Sequence, residues 1–401
     1  MERPIAKGKR GEKRFNSGLV GAAAATHFGG DFYGSFFSPL LPLLVDKYSM
    51  SLGVVGLLAA ISSLTASFTQ PIFGYLADVR IRGELLVVGV LASAIFMSTL
   101  PIVPNLGWLI CFLVLAGLGV SVSHPVAASL ASKVSGDRPG LGMSIYMTGG
   151  SLGFSLGPVI VAQVADRFGL EGVPYLALFG VALAIALFVT SKSIPAQVDG
   201  EKTLRLRGTF SGQGWSLALL LAIIALRATV SISFGTYLPL YLTQRGTSLV
   251  LAGLAVSAFR LAGTAGGVIG GPFSDRIGRA QILFWFSLGA VPFLWLSLKA
   301  SESLGFVSLA AAAVVIGLAS PAQVLIAHEL APQSVGMASG LSIGFAWGIA
   351  GFSATLVGFL GEAIGLGPAL SSVVVTSLLI ASSLVPVLGA ISKPAMRRRP
   401  G

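Results

Sequence analysis

The segment Leu85-Leu-Val-Val-Gly-Val-Leu-Ala-Ser-Ala-Ile-Phe-Met-Ser-Thr-Leu-Pro-Ile-Val-Pro104 carries no charged side chain. A helix of about 20 predominantly apolar residues spans the roughly 30 Å hydrocarbon core of a bilayer. The rest of the chain is similarly apolar, because 54% of its 401 residues are hydrophobic and only 10% are charged. This composition excludes an ordinary soluble fold and predicts an integral membrane protein.

Twelve apolar stretches of this kind are separated by short polar breaks, which predicts an all-α membrane protein with twelve transmembrane helices. The basic N-terminal segment leads directly into the first stretch, so we expect no cleaved signal peptide. The predicted spans lie near residues 18–45, 51–77, 84–104, 107–132, 139–165, 172–191, 214–243, 249–274, 280–298, 303–327, 335–361 and 366–391.

The lysines and arginines are distributed unevenly over the polar breaks. Of the 26, twenty lie in segments that would share one side of the membrane with the N-terminus. Because cytoplasmic loops carry an excess of basic residues, both termini are predicted to be cytoplasmic, in the cell or inner membrane. The net charge of +11 is thereby explained by lipid headgroups, without nucleic acid. The opposite side has only Lys47, Arg167, Arg245 and Lys299.

The two halves of the chain resemble each other. A shift of 197 residues brings Gly74-Tyr-Leu-Ala-Asp78 onto Gly271-Pro-Phe-Ser-Asp275 and Pro42 onto Pro239. An internal repeat of two six-helix halves is a known transporter plan, with a binding site near the bilayer midplane between the halves. The predicted organisation is a basic tail (1–17), a six-helix bundle (18–192), a cytoplasmic linker (193–213), a second bundle (214–392) and a basic tail (393–401).

The repeated loop resembles the signature of the major facilitator superfamily. Its first copy is Gly74-x-x-x-Asp78 followed by Arg80 and Arg82, and its second is Gly271-x-x-x-Asp275-Arg276-Ile-Gly-Arg279. The resemblance covers essentially the whole chain and implies transport by alternating access. Glycine at the end of a span would allow close helix approach, and the charges would gate one conformation. The alternative is that they only anchor a cytoplasmic turn. The gating residues implied are Gly74, Asp78, Arg82, Gly271, Asp275, Arg276 and Arg279.

Within that superfamily the details look like the fosmidomycin resistance protein group. The matching features are His27-Phe-x-x-Asp31, the pair His124-Pro125, and Gly149-Gly-x-x-Gly-x-x-x-Gly157-Pro158. One departure is Val126, where the group often has a glutamate. The resemblance implies proton-driven export of small molecules, with fosmidomycin as one possible substrate.

Asp31 and His27 are the residues least expected in a membrane span. Asp31 lies about fourteen residues into the first span, near the midplane, and His27 is one helical turn away on the same face. A charge there costs about 2.5–3.5 kcal/mol on insertion scales, so it is expected to face a cavity or a partner. We therefore predict proton coupling at these two residues, against the alternative of a structural hydrogen-bonded pair.

Two arginines of the second half are candidate partners for Asp31. The 197-residue shift sets Arg227 opposite Gly30, and Arg260 lies halfway along the eighth span. If both face the central cavity, their guanidinium groups favour an anionic substrate such as a carboxylate, phosphate or phosphonate. The open alternative is that each arginine satisfies backbone carbonyls or a neighbouring helix. His124 is a further candidate for the cavity wall, with the alternative that its imidazole satisfies the carbonyl freed by Pro125. The other candidates, each with packing as its alternative, are Tyr33, Gln70, Tyr146, Gln323 and Trp347.

Glycines recur every fourth residue in the fifth span, at Gly149, Gly153 and Gly157, and Pro158 follows them. Such a stripe removes side chains from one helical face and predicts close packing against a neighbouring helix. The spelling Gly149-Gly-Ser-Leu-Gly153 also matches a hydrolase nucleophile elbow. That motif requires a strand-turn-helix setting, whereas this one lies in an apolar span, so we do not predict an enzyme.

No nucleotide phosphate loop or His-Glu-x-x-His metal pair occurs, and the single Cys111 allows no intrachain disulfide. We therefore expect a monomer in the lipid bilayer whose partners are a small-molecule substrate and protons, with no cofactor and no metal. The sequence favours a proton-coupled exporter of an anionic or amphiphilic compound. The alternatives are proton-coupled or facilitated uptake of an anionic metabolite and, less favoured, a membrane sensor that does not transport.

Overall fold

A computed structural model of the chain describes residues 15–70, 72–74, 83–136, 138–194, 213–331, 338 and 340–396. Within these ranges the regular structure is helical throughout. The helices are α1 Ser17–Gly34, α2 Phe37–Tyr48, α3 Leu52–Phe68, α4 Gly83–Thr99, α5 Leu106–Val134, α6 Pro139–Phe168, α7 Ala177–Ser191, α8 Gly214–Gln244, α9 Leu249–Ile277, α10 Arg279–Lys299, α11 Glu302–Leu318, α12 Ser320–Leu330, α13 Ala346–Ala350, α14 Phe352–Ile364 and α15 Leu366–Met396.

Eleven helices in the described part of the chain are long and apolar enough to cross a membrane. They correspond to the predicted spans 2 to 12, so the all-helical membrane fold expected from the sequence is confirmed. The first predicted span is different, because it is divided into α1 and α2 instead of being one continuous helix. The eleventh is also irregular, because a π-helical turn, Gly340–Phe345, precedes α13.

The division of the first span has a local cause. Pro39 has no backbone N–H, so it cannot bond to the carbonyl of Ser35 four residues earlier. The Ser35 carbonyl thus lacks its helical donor, while the Ser35 hydroxyl donates to the Phe32 carbonyl at 2.7 Å. The helix therefore ends at Gly34 and starts again at Phe37, just beyond the turn that carries Asp31.

Consecutive spans run in opposite directions, so the bundle has two ends. We call the end where α1 begins the proximal end and the end where α2 stops the distal end. At the distal end, one continuous hydrophobic core joins both halves, with members such as Leu40, Leu58, Phe234 and Leu370. At the proximal end, the described residues of each half form separate cores. The hydrophobic core that the two halves share thus lies at the distal end of the described part of the bundle.

Direct hydrogen bonds cross between the halves at the distal end. The Tyr237 hydroxyl of α8 lies 2.8 Å from the Leu52 carbonyl of α3 and 2.9 Å from the Ala354 carbonyl of α14. The Gly53 amide donates to Glu362 at 2.7 Å. Gly56 allows this contact, because a Cβ there would lie 2.4 Å from the Ala354 carbonyl oxygen. The distal closure therefore depends on close backbone approach.

Candidate functional site

A cluster of buried polar side chains lies in the middle of the first half. His27 and Asp31 are one turn apart on α1, and both face α5 and α6. The His27 Nε2 lies 3.2 Å from Asp31 Oδ2, and the His124 Nε2 of α5 lies 3.2 Å from the other carboxylate oxygen, Oδ1. Only 5% of Asp31 and 8% of His27 are exposed. Two histidines thus share one buried carboxylate.

Tyr146 of α6 fixes both histidines. Its backbone carbonyl lies 2.9 Å from the His27 Nδ1, and its ring stacks on the His27 ring with centroids 4.1 Å apart. Its hydroxyl donates to the His124 carbonyl at 3.1 Å. Tyr146 and His124 therefore belong to the Asp31 cluster in this conformation. The sequence had placed them only in the general wall of the cavity.

Glycines of α6 give the cluster its space. A Cβ at Gly150 would lie 2.4 Å from His27 Nε2 and 2.6 Å from Asp31 Oδ2. Cβ atoms at Gly149, Gly153 and Gly157 would meet backbone carbonyl oxygens of α1 at 2.3–2.5 Å. The glycine stripe lies against α1, as the spacing predicts, and brings the α6 backbone over the His27–Asp31 pair. Gly150 was not proposed as a site residue, although its neighbour Gly149 was.

Arg227 has a different environment from the one expected. It is 3% exposed, and its guanidinium donates to Gln323 at 3.3 Å, to the Ile316 carbonyl at 2.9 Å and to the Ser287 hydroxyl. All three partners belong to the second half. The expectation that Arg227 faces Asp31 is therefore wrong, and the alternative that it satisfies neighbouring helices describes it. Gln323 is likewise occupied by Arg227.

Arg260 of α9 is the arginine that approaches the first half. Its guanidinium carbon lies 5.1 Å from the ring centroid of Phe154 on α6, the helix that packs over Asp31. Its one hydrogen bond within the described structure is a long contact of 3.5 Å to the Ser231 carbonyl. Gly235 leaves room for it, since a Cβ there would lie 2.4 Å from Nη2. Arg260 is partly exposed and has donors to spare.

The other predicted wall residues have local partners. The Tyr33 hydroxyl donates to the Leu176 carbonyl at 2.8 Å, and Tyr33 is fully buried. Gln70 donates to Ala66 on its own helix at 2.7 Å. The Trp347 side chain packs against the proximal core of the second half. The structure does not bring these three side chains into the cluster around Asp31.

The predicted gating residues Gly271, Arg276 and Arg279 lie at the proximal ends of α9 and α10. Arg279 forms an ion pair with Glu329 within the second half, and Arg276 is exposed. A Cβ at Gly271 would meet no heavy atom within 4 Å, so Gly271 is not a close-packing glycine in this conformation. The prediction that Gly271 allows close approach of a neighbouring helix is therefore wrong for this conformation. Asp78, Arg82 and the side chain of Asp275 lie outside the described residues.

The cluster has the donor set of a small cation site. One atom each from His27, Asp31 and His124 lies within 4.8 Å of the others. Imidazole nitrogen and carboxylate oxygen can bind either a proton or a metal ion such as Zn²⁺. The sequence predicts no metal here, and that prediction stays untested.

Comparisons with known proteins agree with this architecture. The chain is 30% identical to the fosmidomycin resistance protein of Escherichia coli over 355 residues, which is 87% of each protein. It is 28% identical to the multi-drug resistance efflux pump PmrA of Streptococcus pneumoniae over 62% of this chain and 65% of that one. Among solved structures, an inward-facing bacterial homologue of the lysosomal transporter Spinster superposes with a TM-score of 0.73 at 17% identity, covering 97% of this chain and 98% of that one.

The model of one protein family, the Major Facilitator Superfamily, matches residues 23–355. This range includes the Asp31 cluster, the repeated loop and the distal contacts of Tyr237 with Leu52 and Ala354. The family resemblance inferred from the repeated loop is thereby confirmed. This chain belongs to the Major Facilitator Superfamily.

Proposed function

We propose that this transporter exports a small anionic or amphiphilic compound in exchange for protons, by alternating access. Export is supported by two relatives, one named for fosmidomycin resistance and one as a multi-drug efflux pump. Contact between the halves at the distal end is expected in one of the two main conformations of an alternating-access cycle. From the distribution of basic residues, the proximal end would face the cytoplasm of a cell with the protein in its inner or plasma membrane.

The observation that carries the proton coupling is the position of Asp31 between two histidines of its own half, next to α6, whose Phe154 contacts Arg260 of the other half. Asp31, His27 and His124 all change charge on binding or losing a proton. Arg260 belongs to the opposite rigid half, so rocking of the halves changes its distance from Asp31. Protonation of the cluster is thereby linked to conformation.

Exchange requires that substrate and proton occupy the site in turn. A compound whose anionic group binds Arg260 and which also donates a hydrogen bond to Asp31 would satisfy this condition. The donor needs a lone pair of the carboxylate, and a proton held in the Asp31 cluster occupies such a lone pair, so the two compete. Such a compound is amphiphilic or carries several polar groups. The apolar ring of Phe154, which lies against Arg260, would contact its carbon skeleton.

One observation favours uptake as a second candidate. Arg260 is the only arginine or lysine of the described spans that lies near Asp31 with donors to spare. When the cluster gains a proton, its negative charge decreases. Arg260 is then less neutralised and attracts an anion more strongly. A simple anion with no donor for Asp31 would therefore bind together with the proton. Such a substrate would move into the cell with protons rather than out against them.

Proteoliposomes loaded with a pH dye can separate these candidates. Wild type and Asp31→Asn would be compared with fosmidomycin and a panel of anionic and neutral compounds. Export by exchange predicts that outward substrate movement drives protons in the opposite direction, and that Asp31→Asn loses this flux but keeps substrate exchange. Proton and substrate moving together would instead support uptake. Equal substrate movement in both proteins without proton flux would mean a uniporter and would contradict proton coupling.

A further inference from the structure

The contact between His27 and Asp31 requires one proton more than a neutral imidazole and an ionised carboxylate provide. A backbone carbonyl can only accept, so the 2.9 Å contact with Tyr146 requires a hydrogen on His27 Nδ1. In a neutral imidazole the other nitrogen, Nε2, then carries a lone pair. This lone pair would face Asp31 Oδ2 at 3.2 Å, where an ionised carboxylate also offers only lone pairs. The contact is attractive only if one extra proton lies between His27 and Asp31.

The His124 side of the cluster is different. Its Nε2 is buried and 3.2 Å from Asp31 Oδ1, yet the direction of the contact does not satisfy a hydrogen bond. The side chain of His124 is 17% exposed, compared with 10% for His27 and 7% for Asp31. Its ring meets that of His27 edge-on, with centroids 4.8 Å apart. His124 is thus the member of the cluster with the most access to open space.

Two other approaches to the pair are covered. The α6 backbone at Gly150 covers His27 and Asp31 so tightly that even a methyl group would overlap both. The stacked ring of Tyr146 covers a face of His27. The charged group that contacts α6 from the second half is Arg260, and a guanidinium stays protonated in proteins. A proton travelling between the cavity and Asp31 therefore has its most open route at His124.

We propose that the two histidines have separate roles, with His27 holding the proton and His124 relaying it between Asp31 and the cavity. In the loading direction, a proton from cavity water binds neutral His124, and the resulting imidazolium protonates Asp31. Rotation of the protonated carboxyl group then presents this proton to Nε2 of His27, which accepts it and leaves Asp31 as a carboxylate and His124 neutral. Unloading runs in reverse. This assignment rests on the proposed proton coupling and deepens it.

The test compares net efflux with exchange, using labelled fosmidomycin in proteoliposomes at equal pH on both sides. Net efflux needs proton loading and unloading in every cycle, whereas exchange of one substrate molecule for another does not. For His124→Ala and His124→Gln we expect net efflux to fall about a hundredfold, the usual contribution of one acid-base group, while exchange continues. The control is His328→Gln, because His328 lies at the end of α12, outside the cluster.

Added free imidazole makes the test specific for a relay. Imidazole can enter the space left by His124→Ala and carry protons, so net efflux should recover as its concentration rises. At equal pH it has no gradient to collapse. His27→Ala should lose net efflux without recovery, since its site is covered by α6. Full net efflux in His124→Ala, loss of exchange together with net efflux, or absence of imidazole recovery would each overturn the relay. Absence of proton flux in wild type would instead remove the proposed function itself.

Discussion

The two halves each contain one buried polar cluster near the midplane, and the two clusters differ in how completely their hydrogen bonds are satisfied. In the second half, Arg227 distributes its guanidinium over three acceptors and has no access to the cavity. In the first half, Asp31 lies between two histidines, and its contact with His27 requires an added proton. A satisfied cluster stabilises the fold, whereas an incompletely satisfied one can bind something.

The comparison also shows that a buried charge in a membrane helix need not be part of the transport site. Intramembrane charges are functional by default only when their partners leave a place for a substrate or an ion. Arg260 meets that condition and Arg227 does not. The predictions below separate stabilisation from binding on this basis, beginning with the largest expected change in free energy.

The largest effect is expected for Arg227→Met. This change removes three charge-assisted hydrogen bonds, to the Gln323 oxygen, the Ser287 hydroxyl and the Ile316 carbonyl, each worth about 1.5–3 kcal/mol. We expect a large fall in thermal stability in detergent, measured by the loss of monodisperse protein on heating. The protein that remains folded should bind fosmidomycin with wild-type affinity. Weakened binding at unchanged stability would contradict the structural role.

A substantial effect is expected for Gly150→Ala. The added methyl group overlaps His27 and Asp31, and such overpacking costs about 1–3 kcal/mol. Proton-coupled net efflux should be lost, because the pair cannot keep its geometry. Gly140→Ala is the matched control on the same helix, since a Cβ there meets no heavy atom within 4 Å. Equal activity of the two variants would show that the cluster does not need its present packing.

Arg260→Gln should affect binding more than stability. The guanidinium has one long hydrogen bond and one ring contact within the described structure, so little stability is lost with it. A charge-assisted hydrogen bond is worth about 1.5–3 kcal/mol, so affinity for an anionic substrate should fall roughly tenfold or more. Equilibrium binding of fosmidomycin and of a neutral compound would be compared. An equal loss for both compounds would contradict recognition of the anion by Arg260.

The smallest effect is expected for Tyr146→Phe. The change removes the hydroxyl bond to the His124 carbonyl, worth about 0.5–1.5 kcal/mol, but keeps the ring and the backbone carbonyl that hold His27. Net efflux should therefore fall only a few-fold, while the number of protons moved per substrate stays the same. Proteoliposome flux with a pH dye measures both quantities. A changed proton number would mean that the hydroxyl itself takes part in proton transfer.

The sequence was sufficient to predict which residues lie in membrane spans and which of them share a helical face. Uncharged stretches such as 85–104 predict the spans, and the four-residue spacing of His27 and Asp31 predicts that they share a face. The glycine stripe of α6 was also readable from its period. These features depend on residues close together in the chain, where helix geometry alone fixes the relative positions.

Features that depend on helix rotation were not predictable in the same way. The 197-residue shift sets Arg227 level with Asp31, but it pairs Arg227 with Gly30, and a Cβ at Gly30 would point at His124 within its own half. By symmetry Arg227 also points into its own half. The break before Phe37 was missed because hydropathy does not register the carbonyl that Pro39 leaves without a donor.

The central claim is that Asp31 and its two histidines bind the coupled proton. The most direct test is calorimetric titration with fosmidomycin in buffers of different ionisation enthalpy, which counts protons taken up or released on binding. We predict about one proton per substrate for wild type and none for Asp31→Asn. The control, Asp46→Asn, changes an exposed carboxylate of α2 and should match wild type. An unchanged proton number in Asp31→Asn would contradict the account.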